Sequence, residues 1–176
     1  VTLLKPFYLI PTLLILTACI SFPDVESTEI SGAFKPVTNQ HPICIKTPGD
    51  PSFQQNVYLG AGNLIAEKVR SGVEKTGRRA FLIDDPAKAE VAGCRLVIDP
   101  QIIEYEDRVT GWSGLPDRIS LRLSLFSITD KTSQRSLIYT AKSSVMGSGF
   151  LEWGNATPAS LLQQKFYDGV AAMISE

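Results

Sequence analysis

From Arg118 to Leu125 the chain alternates without a fault. Ile119, Leu121, Leu123 and Leu125 fall on one side; Arg118, Ser120, Arg122 and Ser124 fall on the other. Side chains leave a strand on opposite faces in turn, so this stretch is a β-strand with one face on a core and one in water. Such a strand needs neighbours and an apolar layer to cover it, and the flanking sequence offers both. Thr129-Asp130-Lys131-Thr132 turns the chain, and Leu137 to Val145 reads as the next, antiparallel strand. Upstream, the strand from Arg95 to Arg108 opens with the buried run Leu96-Val97-Ile98. It then alternates past Pro100, where the missing N–H predicts an edge, a bulge or a bend.

The covering layer is helical. Ala61, Ile65, Val69 and Val73 recur at i+4 steps, with Leu64 beside them and Glu67, Lys68, Arg70, Glu74 and Lys75 on the other faces. That is an amphipathic helix, stopped by Gly77. A final helix opens at Thr157-Pro158 and carries the stripe Leu162, Phe166, Val170 and Met173. The short strands Ile43–Lys46 and Ala80–Ile83 flank the first helix. A short helix to Ala92 follows, opened by an N-cap and a proline at Asp85-Pro86. The order predicts an α/β (α+β) fold: a mixed sheet from a βαβ unit plus an antiparallel meander, with helices packed on the sheet.

The amino-terminal end speaks to location. Lys5 precedes an apolar run from Phe7 to Ala18, interrupted by Pro11. The run is shorter than the roughly 20 residues that span a bilayer, and it reads as a secretory signal. Its ending, Leu16-Thr17-Ala18-Cys19, resembles the lipobox of bacterial lipoproteins. The plainer alternative is an ordinary signal with Cys19 incidental. The resemblance implies that residues 1–18 are a cleaved signal peptide. It also implies that Cys19 is acylated, by diacylglycerol and a further chain of the palmitate type, so that the lipid bilayer is a partner. One acyl chain binds a membrane marginally and two or more hold it firmly. Ile20, in place of an aspartate after the cysteine, favours the periplasmic face of the outer membrane. Residues 19–42, with Pro23, Pro36 and Pro42 and no periodic pattern, read as a lipidated tether that lifts a domain at 43–176 off the membrane.

Composition excludes some function classes. A formal net charge of −1 leaves no basic face for nucleic acid. His41 is the only histidine, so neither a Ser-His-Asp arrangement nor a zinc site is expected. Gly60-Ala61-Gly62 with Asp84 mimics a dinucleotide fingerprint. Ile65, however, stands where a third small residue belongs, so no nucleotide and no cofactor is expected. Glu104, Glu106, Asp107 and Asp117 could pair as acid and base in glycoside hydrolysis. Arg108 and Arg118 lie equally close, and ion pairing explains the charges more simply; no catalytic residue and no enzyme is expected. Cys44 precedes Cys94 by about 50 residues. In parallel neighbouring strands they could form a disulfide, worth roughly 4 kcal/mol by loop closure, or they could remain two buried thiols. The loop from Val109 to Asp117 holds Trp112 between Arg108 and Arg118. Two readings stand side by side: a recognition patch of Arg108, Trp112 and Arg118, or a tryptophan folded back over the sheet end while Asp and Arg lock the loop.

Glu106-Asp107-Arg108, Trp112-Ser113-Gly114-Leu115-Pro116-Asp117-Arg118, the following alternating strand and Pro158-x-x-Leu161-Leu162 resemble DUF4823, a family of uncharacterised bacterial lipoproteins. The likeness covers about Ile43 to Ile174 and implies a periplasmic α/β domain with a layout like the amino-terminal part of TolB-like proteins. It implies no chemistry. The expected function is a binding or assembly module of the cell envelope, for an envelope protein or glycan. An envelope hydrolase using carboxylates near Trp112, or a structural spacer, are the alternatives.

Overall fold

The computed structural model describes residues 23–33, 41–108, 115–129, 133–143 and 157–175. Among the described residues there are eight strands: β1 (Pro23–Ser31), β2 (Ile43–Lys46), β3 (Ser52–Phe53), β4 (Asn56–Val57), β5 (Ala80–Ile83), β6 (Leu96–Glu106), β7 (Arg118–Ser127) and β8 (Ser133–Ser143). The described helices are α1 (Ala61–Glu74), α2 (Lys88–Val91) and α3 (Gln164–Ile174), with a 3-10 turn at Pro158–Leu161 before α3. Six strands form one mixed sheet in the order β1-β8-β7-β6-β2-β5. β2 runs parallel to both β5 and β6, while β6, β7, β8 and β1 are antiparallel in turn. The fold is the expected α/β arrangement, a βαβ unit followed by a meander.

The alternation in β7 decides which face is covered. Ile119, Leu121, Leu123 and Leu125 are fully buried and meet Ile65, Val69 and Val73 of α1 and Phe166, Val170 and Met173 of α3. Burying each large side chain contributes about 1.5–3 kcal/mol, so this one face supplies most of the apolar stabilisation. Tyr139 sits inside it. Its hydroxyl donates to the Leu161 carbonyl at 3.2 Å and its ring meets Phe166 edge-on at 5.1 Å. Burial pushes that hydroxyl up to about 12, so it serves as a donor across the working pH range.

A second, smaller cluster lies on the opposite face, where Cys44, Ile83, Cys94 and Val97 meet Ala89 of α2. Cys44 and Cys94 are bonded, with Cα atoms 5.8 Å apart. Parallel pairing of Cys44 with Val97 sets the two cysteines within reach. Of the two alternatives open in the sequence, the structure takes the disulfide.

One described part of the expected tether, residues 23–31, is a strand. Pro23–Ser31 is β1, paired along β8 and forming one sheet edge. Val25 packs on the core, while Asp24, Glu26 and Glu29 face outward. An edge strand with acidic side chains is protected from pairing with other chains, and that same polarity hides it from a search for apolar alternation. Ala80–Ile83, expected as a buried strand, is the other edge and leaves Phe81 42% exposed. The polar stretch before α1 holds a further small hairpin, β3–β4, turned by Gln54 and Gln55 at positive φ.

Where α1 crosses α3, Gly72 is pressed against Val170: a Cβ on Gly72 would stand 2.8 Å from the Val170 Cβ. Gly→Ala inside a helix ordinarily gains about 1 kcal/mol, whereas overpacking costs about 1–3 kcal/mol. Gly72→Ala is expected to lower stability by about 1 kcal/mol or more, read from the urea midpoint. A higher midpoint would contradict the close crossing.

Candidate functional site

β2 ends before its neighbour does. It pairs with β6 only from Leu96 to Ile98. From Asp99 onward the described neighbour of β6 in the sheet is β7 alone. Pro100, which has no N–H to offer, stands at that transition, and a bulge follows between Ile102 and Glu104. Of the edge, bulge or bend expected at Pro100, the edge is found there, and the bulge lies further along the strand. The chain leaving β2 swings over this uncovered flank of β6 and encloses an open groove of about 470 Å³, lined by Lys46, Pro48, Asp50, Asp99, Gln101 and Tyr105. β2 leads into α1 on the main core face and β5 into α2 on the disulfide face. The groove therefore lies at the carboxyl end of a parallel strand where the crossovers change face, a usual place for ligands in open α/β sheets.

Its polar groups are largely engaged with one another. Lys46 Nζ lies 3.2 Å from Asp99 Oδ1. The Asp50 carboxylate accepts the Gly60 N–H at 2.9 Å and the Gly62 N–H at 2.8 Å. These bonds hold the Asp50 carboxyl below its ordinary value. The first turn of a helix offers unpaired N–H groups and a positive dipole end to an anion; here the anion is the protein's own. Gly60 has φ +83°, and a Cβ on Gly62 would run into the Pro48 carbonyl. The Gly60-Ala61-Gly62 pattern thus serves a close loop approach and a carboxylate cap.

At the far end of β6 the acidic residues and arginines come together. The Asp117 carboxylate, buried, accepts the Arg108 backbone N–H at 2.7 Å, and the Asp117 N–H donates to Ser143 Oγ at 2.9 Å. Arg108 Nε and Nη2 donate to Glu106 at 2.9 and 2.6 Å. Arg118 Nη2 donates to Glu26 at 2.6 Å, and its Nε lies 3.5 Å from Glu104. Lys142 adds a bond to Glu26 at 3.0 Å. Bonding by Arg118, then by Lys142, holds the Glu26 carboxyl low. Burial pushes the Asp107 carboxyl upward, opposed by its bond with the Tyr58 hydroxyl. The Tyr58 ring packs on Tyr105 at 5.1 Å. Neither Glu104 nor Asp117 lines the groove. Among the described residues no three or more His, Cys, Asp or Glu are grouped to hold a metal ion.

Arg108 and Arg118 are thus brought to one end of the sheet, and Cys44 and Cys94 to one bond. Cys19 and Trp112 lie outside the described residues. Glu26 and Asp50 were not singled out by sequence. Each acts on residues far along the chain, Glu26 on Arg118 and Asp50 on Gly60, and no local pattern signals such a partner.

No family model matches the chain. No curated protein matches it either. Solved structures do. The PelC dodecamer from Paraburkholderia phytofirmans superposes with a TM-score of 0.61 at 9% identity, covering 84% of this chain and 98% of that one. A point variant of that dodecamer gives 0.57 at 8% identity, covering 84% and 93%. A DUF330 protein from Xanthomonas campestris gives 0.46 at 14% identity, covering 82% and 90%. At such identities the PelC match establishes a shared fold.

Asp50→Ala is expected to lower the melting temperature at neutral pH. A carboxyl held low in the folded state stabilises above its unfolded value, near 3.9, and loses that contribution as pH falls through the folded value. The gap between wild type and variant should therefore close as the pH is taken below that range. A constant gap from neutral pH to acid would show that the charge on Asp50 contributes nothing.

Proposed function

We propose that this chain is an outer-membrane lipoprotein, held by an acylated Cys19, whose periplasmic α/β domain is a binding or assembly module of the cell envelope. The observation that carries the reading is Leu16-Thr17-Ala18-Cys19 after a signal-like apolar run. The Cys44–Cys94 bond supports it, because such bonds persist in oxidising compartments such as the periplasm. The DUF4823 likeness points the same way. Arg108, Trp112 and Arg118 form the recognition patch in this reading. The engagement of Glu104, Glu106 and Asp117 in ion pairs and backbone bonds favours a binding role over hydrolysis. PelC, with a similar fold, is a dodecamer, and self-assembly is one form the module takes under this proposal.

Cys19→Ala is expected to abolish incorporation of labelled palmitate and to move the protein from the outer-membrane fraction to the soluble periplasm. Unchanged incorporation and recovery would overturn the lipoprotein reading. Trp112→Ala is expected to lose a specific envelope crosslink in intact cells with little change in melting temperature. A drop of many degrees with every crosslink retained would make Trp112 a structural residue and remove it from the patch.

A further inference from the structure

The start of β1 lies close to the anchor along the chain. Only Ile20, Ser21 and Phe22 separate Cys19 from Pro23, the first residue of β1. Fully extended, the four steps from Cys19 to Pro23 reach about 14 Å at most. That is far shorter than the leash expected from a tether running to residue 42. Resting on the acylated Cys19 proposed above, we infer that the end of the sheet where β1 begins is a docking surface for the lipid bilayer itself.

The pairing register says which residues share that end. Pro23 lies opposite Ser143, and Asp24, Lys142, Arg118 and Glu106 stand in one row across four strands. With neighbouring strands about 4.8 Å apart, the row is about 14 Å wide. Leu115, three residues before β7 and 48% exposed, belongs to the same end. The other end is remote. Seven residues along β1, Ile30 is about 23 Å from Pro23 at the strand rise of about 3.3 Å. For that end to touch the membrane with the sheet upright, Pro23 would stand further from the surface than its leash reaches. Laying the domain along β1 would bring Ile30 to the surface together with Pro23, and equal quenching at both ends would report that arrangement. Arg118 stands in this row, held by Glu26 and Glu104, and Arg108 lies two residues beyond Glu106.

The test uses the full acylated protein, purified from membranes and inserted into vesicles of phosphatidylethanolamine and phosphatidylglycerol carrying a headgroup-attached quencher. A fluorophore is placed on Leu115→Cys or on Ile30→Cys; Cys44 and Cys94 are bonded and Cys19 is blocked by its acyl chains. Quenching several-fold stronger at Leu115 than at Ile30 is expected. A long Gly/Ser insertion between Phe22 and Pro23 should abolish the difference. Equal quenching at both positions in acylated, vesicle-bound protein would overturn the docking and leave the anchor intact. Quenching at neither, in the same protein, would overturn it in favour of a protein partner at that end. Mass spectrometry showing no acyl group on Cys19 would overturn the anchor and the docking together.

Discussion

β6 is the strand on which the two halves of the sheet depend. Its first three residues pair in parallel with β2, and the whole strand pairs antiparallel with β7. Parallel pairing requires a crossover of a dozen residues or more, and antiparallel pairing requires only a turn. A strand that takes both must therefore receive a helix-bearing unit on one side and a meander on the other. The handover at Asp99 and Pro100 leaves the second half of β6 with no strand partner on that side among the described residues. The groove, the Lys46–Asp99 pair and the Tyr58–Tyr105 contact all occupy the space so opened.

Much of this was legible where burial follows a period. The strand from Arg118, the stripe Ile65, Val69 and Val73, and the stripe Phe166, Val170 and Met173 are the core of the structure. Pro100 marked its own irregularity, because a missing N–H has consequences wherever it falls. The failures share a cause of the opposite kind. β1 buries little, and its signals are charges whose partners, Arg118 and Lys142, lie about a hundred residues away. The hairpin β3–β4 turns on Gln54-Gln55, which carries none of the Asn-Gly chemistry that announces such turns. The helix entry looked like a phosphate cradle because glycine serves any close backbone approach. Only the position of Asp50 says which anion fills it.

The two ends of the meander are chemically unlike. At the start of β7 and the end of β8, arginines, a lysine and carboxylates form a connected network, with Glu26 shared between Arg118 and Lys142. An exposed single ion pair contributes little, about 0–1 kcal/mol, but a carboxylate held by two cations also fixes strand register. Here it ties the edge strand to its neighbours. Asp117, buried and bonded to the Arg108 backbone and to Ser143, closes the loop connection from beneath. A bond between these two residues runs from the Arg108 main-chain N–H to the Asp117 carboxylate, while the Arg108 guanidinium holds Glu106.

The disulfide has a bearing on time as well as on strength. It staples β2 to the entrance of β6, on the face that carries only α2 and a small apolar cluster. Without the bond that corner would rest on the parallel pairing of β2 with β5 and β6, on Ile43 and Ile45 in the main core, and on the small cluster. Under the export proposed above, the chain would cross the membrane without this cross-link and gain it only on the oxidising side. The bond would then act as a latch on the direction of travel, set by the compartment in which folding is completed.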